Sequence, residues 1–153
     1  MILRLITGVL LAAVAWCPLR ADATQLIGDW DSVTVARMKT SIYVGNVSLT
    51  PGVFRREGDK FSTTYEAKVW PWFFWSETGQ ISIFLSEVEL EKLARGERIE
   101  FTGQALNHKK KPRKVTGRAE FLNGAGGKIK VRISVDDIEL TFNGTYRFNN
   151  AVK

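Results

Sequence analysis

Residues 98–148 do most to constrain the fold of this chain. Apolar and polar residues alternate there in four runs, separated by turn-forming residues. Ile99, Phe101 and Gly103 alternate with Glu100, Thr102 and Gln104. Ile129, Val131 and Ile133 alternate with Lys128, Lys130 and Arg132, and Ile138, Leu140 and Phe142 with Glu139 and Thr141. A period of two sends successive side chains to opposite sides of an extended backbone, so each run is a strand with one apolar and one wet face. Strands are predicted at 98–106, 114–122, 128–135 and 138–148. The first two carry the same phrase, Thr102-Gly103-Gln104-Ala105 and Thr116-Gly117-Arg118-Ala119. A hairpin folded about Lys110 sets Gly103 opposite Gly117. Because interiors are densely packed, a large side chain should fill the gap between them, such as a tryptophan at 70, 72 or 75.

The same period recurs upstream. Val33 and Val35, then Ile42 and Val44, alternate with polar neighbours. In 60–70, Phe61, Thr63, Tyr65, Ala67 and Val69 share one face. Turns are expected at Thr50-Pro51-Gly52, Glu57-Gly58-Asp59 and Glu77-Thr78-Gly79-Gln80, and a tight turn or bulge at Asn143-Gly144. One segment reads as helix, at about 87–95. Ser86 followed three residues later by Glu89 forms a capping box, and Gly96 stands where a helix-ending glycine belongs. Alone, two or three turns are marginal, so the helix must dock on the sheet. Helical patterns do not separate the strands, which leaves parallel βαβ units unsupported. The fold expected is all-β: an antiparallel β-sandwich or small β-barrel of about eight strands with one short helix.

The N-terminus has a different character. One arginine precedes an apolar run of about 12 residues, and Ala21-Asp22-Ala23 supplies the small residues of a cleavage site. This is the pattern of a secretory signal peptide, too short for the roughly 20 residues of a membrane span. Residues 1–23 are read as a signal peptide and 24–153 as a single domain, secreted or periplasmic, with no transmembrane segment after cleavage. The one cysteine, Cys17, follows the bulky Trp16 and goes with the signal. The mature chain then has no disulfide framework, no thiol nucleophile and no cysteine-bound metal.

Charge is uneven along the chain. Residues 24–100 hold 9 basic and 11 acidic side chains, whereas residues 101–153 hold 11 and 4. Lys109, Lys110, Lys111, Arg113 and Lys114 crowd one hairpin tip and form a candidate anion site, against the plainer reading of a solvated loop. Arg118, Lys128, Lys130 and Arg132 extend the patch if their wet faces adjoin it. An anionic lipid or polysaccharide fits an exported chain better than nucleic acid. The second candidate is the aromatic run 70–75, with Trp70, Trp72, Phe74 and Trp75. It reads first as core at a strand crossing, and otherwise as a pocket lining, a partner surface or a membrane-interface contact. Catalytic sets are poorly supplied. His108 is the one histidine, no phosphate-cradling glycine loop precedes a helix, and no cofactor is expected. Asp136-Asp137 reads as a hairpin turn. These features favour a non-enzymatic β domain that binds an apolar or anionic ligand or partner. The alternatives are a hydrolase whose carboxylates meet only in space, and a purely structural protein.

Overall fold

The computed structural model describes residues 30–123 and 126–150. Ten strands run as β1 (Trp30–Val35), β2 (Met38–Ile42), β3 (Gly45–Pro51), β4 (Val53–Glu57), β5 (Lys60–Trp70), β6 (Glu77–Phe84), β7 (Ile99–Asn107), β8 (Pro112–Asn123), β9 (Gly126–Val135) and β10 (Ile138–Asn150). Helix α1 (Glu87–Ala94) lies between β6 and β7. The signal peptide expected over 1–23 lies outside the described residues.

Each strand from β5 to β10 pairs antiparallel with the next, β10 pairs with β1, β1 with β4, and β4 with β5. That circuit is a closed eight-strand barrel with β2 and β3 as additional strands. The extra pair follows the same course. β2 pairs with β10 and β3 with β5, so β1–β2 and β3–β4 behave as two long strands, bent at Ala36–Arg37 and at Gly52. Thr50-Pro51-Gly52 is therefore a bend rather than the turn its composition announces. The chain goes straight on while its partner on β5 shifts from the 65–70 half to the 60–62 half. Closure decides for the barrel over the sandwich.

Alternation assigns the inside. Phe61, Tyr65, Ile81, Ile83, Phe101, Val115, Val131 and Phe142 are buried, while Lys68, Thr102, Lys114 and Arg132 between them are exposed. A membrane-spanning barrel has the opposite pattern, apolar outside and polar within. Among the described residues no helix is long and apolar enough to cross a membrane.

An up-and-down course puts the β4–β5 turn, α1, the end of β8, the start of β9, the start of β1 and the end of β10 at one end. This end is plugged. Leu90 and Leu93 of α1 are fully buried, and Trp30 stacks on Phe148 at 4.1 Å between ring centres. The predicted capping box is present: the Ser86 hydroxyl accepts from the Glu89 amide, and the Glu89 carboxylate accepts from the Ser86 amide at 2.8 Å. Ala94 packs against the core but Val88 is exposed, so the apolar side of α1 is narrower than its composition suggests.

Three local expectations are corrected. The β7–β8 hairpin centres on Lys109, because Leu106 pairs with Pro112. Gly117 therefore faces Phe101, and Gly103 faces Val115. A large ring does fill the space at Gly117, but it is Phe101 from the facing strand and not a tryptophan; a Cβ at Gly117 would strike it. Asn143-Gly144 lies inside continuous β10, where Gly144 makes room for the Met38 side chain. Glu77 opens β6, so the reversal falls earlier, at 71–76.

Candidate functional site

Four connections converge at the other end of the barrel: Tyr43-Val44, the aromatic run 71–76, the basic hairpin 108–111, and Asp136-Asp137. The aromatic run is not core. Trp70, Phe73, Phe74 and Trp75 are all more than half exposed, and Trp72 is 40 % exposed. The core reading fails because β5 carries Trp70 to the rim, facing outward opposite Asn46, and the chain then leaves the sheet for one turn of 3-10 helix. The loop is nonetheless held. The Trp72 indole N–H donates to the Val44 carbonyl at 3.0 Å, and the Val69 amide donates to the Ser76 hydroxyl at 3.1 Å.

Beneath this rim the barrel is hollow. A cavity of about 550 Å³ opens between Phe74, Trp75 and the basic hairpin and runs down to Leu49, Ile81 and Phe142. Its walls are mainly small or medium apolar side chains, among them Val47, Ala67, Val69 and Ala105. Small-molecule sites typically fall within roughly 300–1,000 Å³ and show this combination of apolar wall and few polar groups.

The polar groups form one cluster near the mouth. The Arg113 side chain is 8 % exposed. Its Nη2 donates to Glu77 Oε2 at 3.3 Å and its Nη1 to Asp136 Oδ1 at 3.1 Å. Tyr65 donates its hydroxyl to Glu77 Oε1 at 2.8 Å, and Asn107 Nδ2 donates to Glu77 Oε2 at 3.2 Å. Asn107 is buried and works in both directions. Its Oδ1 accepts from the amides of Lys109 and Lys111, which builds the basic hairpin around it. Lys110 at the tip takes a left-handed backbone, φ 61°.

The Arg113 Nε–H, buried in the cavity wall, has no protein acceptor; among the described residues it is the buried side-chain polar atom left in that state. An unsatisfied buried donor costs about 1–3 kcal/mol, and more on a charged group. Burial works against the Arg113 charge, but the hydrogen bonds and charges of Glu77 and Asp136 outweigh it and raise its pKa. The guanidinium therefore stays charged. Burial, followed by the bond to Glu77 and the nearby carboxylate charge, pushes the Tyr65 phenol well above its ordinary range.

The sequence candidates thus separate. Lys109, Lys110 and Lys111 are exposed on the hairpin, with Lys111 3.7 Å from Asp136. Lys114 faces outward on β8, while Arg113, one residue away, turns into the barrel. Arg118, Lys128, Lys130 and Arg132 lie on the outer wall of β8 and β9, where Arg118 faces Lys130. Several of them line a broader, shallow groove of about 680 Å³ that also holds Asp59, Glu89 and Glu100, so its charge has no single sign. Glu77, Asn107, Tyr65 and Asp136 were not predicted as site residues. A signal for three of them was present: Glu77 is in phase with Ile81, Asn107 with Ala105, and Tyr65 with Phe61, all inward. Arg113 is likewise in phase with Val115. The chain matches no family model, no curated protein and no solved structure.

Proposed function

We propose that this protein is an exported, non-enzymatic binding module whose barrel takes the apolar part of an amphipathic ligand and holds its anionic group against Arg113. The observation that carries this reading is the cavity of about 550 Å³ with apolar walls and a buried, charged arginine whose Nε–H lacks a protein acceptor. A carboxylate or phosphate oxygen supplies that acceptor, while the tail displaces water from the apolar wall. The hydrogen bond to Nε–H and the displaced water favour binding, against the repulsion of the Glu77 and Asp136 carboxylates. Glu77 and Asp136 bring two carboxylates to one guanidinium, but Glu77 already accepts from Tyr65, Asn107 and Arg113, an arrangement suited to orienting Arg113 rather than to moving protons. Export rests on the apolar run before Ala21-Asp22-Ala23, and the intact mass of the exported chain checks it.

The test uses the fluorescent fatty acid cis-parinaric acid and its uncharged methyl ester. Saturable binding of the acid at one per chain is expected. Arg113→Met should weaken the acid at least tenfold and leave the ester nearly unchanged. Ala67→Phe, which fills the cavity without removing a charge, should abolish both. If neither probe binds the parent, or both bind Ala67→Phe as they bind the parent, the reading is wrong.

A further inference from the structure

The proposed ligand site does not account for the aromatic rim. Phe73 is 75 % exposed and Phe74 63 %, contiguous with Trp70, Trp72 and Trp75. Single exposed apolar side chains are ordinary, but contiguous exposed patches of several hundred Å² are uncommon in soluble monomers and mark contact surfaces. This patch is also preformed. The rings pack on one another, Trp72 with Trp75 at 5.9 Å and Phe74 with Trp75 at 5.4 Å. Backbone bonds from Trp75 to Trp72 at 2.9 Å and from Ser76 to Phe73 at 3.0 Å fix the turn. Docking such a surface costs little conformational entropy.

Order around the mouth supplies the second observation. The aromatic loop joins β5 to β6 and the basic hairpin joins β7 to β8, so the two are neighbours. The His108 amide donates to the Thr78 carbonyl at 2.7 Å and ties the hairpin to the aromatic side. Asp136-Asp137 joins β9 to β10, beyond the hairpin, and Asp136 is engaged by Arg113 and Lys111. One side of the mouth therefore presents exposed tryptophan and phenylalanine beside Lys109, Lys110 and Lys111. Trp seats at the polar–apolar boundary of a bilayer, and each lysine near an anionic surface adds attraction.

We propose that this side of the mouth docks on the surface of an anionic lipid bilayer, with Trp72, Phe73, Phe74 and Trp75 at headgroup depth and the three lysines against lipid phosphates. The barrel does not insert, because its outer wall is charged. Docking brings the cavity mouth to the lipid, so an amphipathic molecule passes between bilayer and barrel without crossing open water. The docking itself does not depend on what the cavity holds.

Vesicle flotation tests it, with phosphatidylcholine vesicles made with and without phosphatidylglycerol. The N-terminus of each preparation is verified by mass, since an attached apolar leader would enter lipid by itself. The parent should float with the anionic vesicles, less so as salt rises. Its tryptophan fluorescence should be quenched by brominated lipid, a signal that buried Trp30 at the opposite end cannot supply. Phe73→Ser/Phe74→Ser should lower partitioning at least tenfold with a circular-dichroism spectrum like the parent's. Lys109→Ser/Lys110→Ser/Lys111→Ser should lose only the preference for anionic vesicles. No partitioning by the parent, or equal partitioning by the aromatic variant, overturns the proposal. So does a concentration-dependent dimer that the aromatic variant dissolves, which would assign the patch to a second copy of the chain.

Discussion

The two halves of this barrel are built from the same eight strand positions, yet one is solid and the other hollow. At the plugged end Phe54, Phe61, Phe101, Tyr146 and Phe148 fill the interior with Leu93 from α1, leaving about 30 Å³. At the mouth the corresponding inward positions are Val47, Ala67, Val69 and Ala105, and about 550 Å³ is left open. Backbone geometry does not explain the difference, because strand number fixes the width of a barrel throughout its length. Side-chain volume does. The aromatic half supplies packing and apolar burial, and the aliphatic half gives up some of both. A chain without a disulfide framework can keep a hollow site only if another part of it is well packed.

That contrast predicts an unequal response to truncation. Phe61→Ala removes a fully buried ring that meets Phe148 edge-on at 6.4 Å. It should cost about 3–5 kcal/mol in chemical denaturation. Val69→Ala at the mouth removes two methyl groups from a wall that already faces open space, and should cost less than about 1 kcal/mol. Equal losses at the two sites would mean that the hollow half is as tightly packed as the solid one. A middle-sized effect is expected at Gly117→Val in the packed half. The new side chain meets the Phe101 ring and the Lys130 carbonyl. Overpacking of this kind costs about 1–3 kcal/mol. In an open strand the same change is neutral or helpful, since valine suits strands better than glycine. A Gly117→Val protein as stable as the parent would show that the ring can move aside.

The smallest effect sharpens the comparison through pH. Tyr65 belongs to the mouth and Tyr146 to the plugged half, and both phenols are raised above the ordinary value of about 10. The unfolded chain ionises them first. The stability they contribute is complete below about pH 10 and falls as pH rises toward the higher folded values, by at most about 1.4 kcal/mol per pH unit for each group. The causes differ. Burial alone raises Tyr146, whereas Tyr65 adds a hydrogen bond and the charge of Glu77 to its burial, partly offset by the Arg113 charge. Alkaline titration of tyrosinate absorbance in Tyr65→Phe and Tyr146→Phe, each subtracted from the parent, resolves the two phenols from exposed Tyr43. Added salt should lower the pKa of Tyr65 and leave that of Tyr146 unmoved. Identical salt responses would remove the electrostatic distinction between the halves.

Legibility followed the same division. Inward faces were readable wherever period two ran unbroken, which gave the strands from Ile99 onward and the Phe61 face of β5, and the capping box marked the helix. Bends were not readable. Pro51-Gly52 has turn composition, and only the two-part pairing with β5 shows that the chain continues. The hairpin register missed by two residues because the basic tip offers no apolar mark to fix its centre. The cluster around Arg113 was illegible for another reason. Glu77, Arg113 and Asp136 lie on three strands or turns far apart in sequence, and barrel formation alone brings them together. Arg113 also sat within a run of lysines, where composition masked its inward phase. The aromatic run misled because five large residues around Pro71 have the texture of core, and burial depends on where β5 ends.

Trp30 at the start of β1 pairs with Asn150 near the end of β10. The first and last described residues therefore lie side by side, at the end of the barrel opposite the mouth. A peptide that joins them closes the chain into a ring with little strain, and new ends can then be cut at Gly58, an exposed turn glycine at that same end. A tether to a bead, a surface or a second domain leaves from there as well, so an immobilised barrel presents its rim outward. Attachment at that end leaves the cavity mouth clear on the opposite side of the barrel.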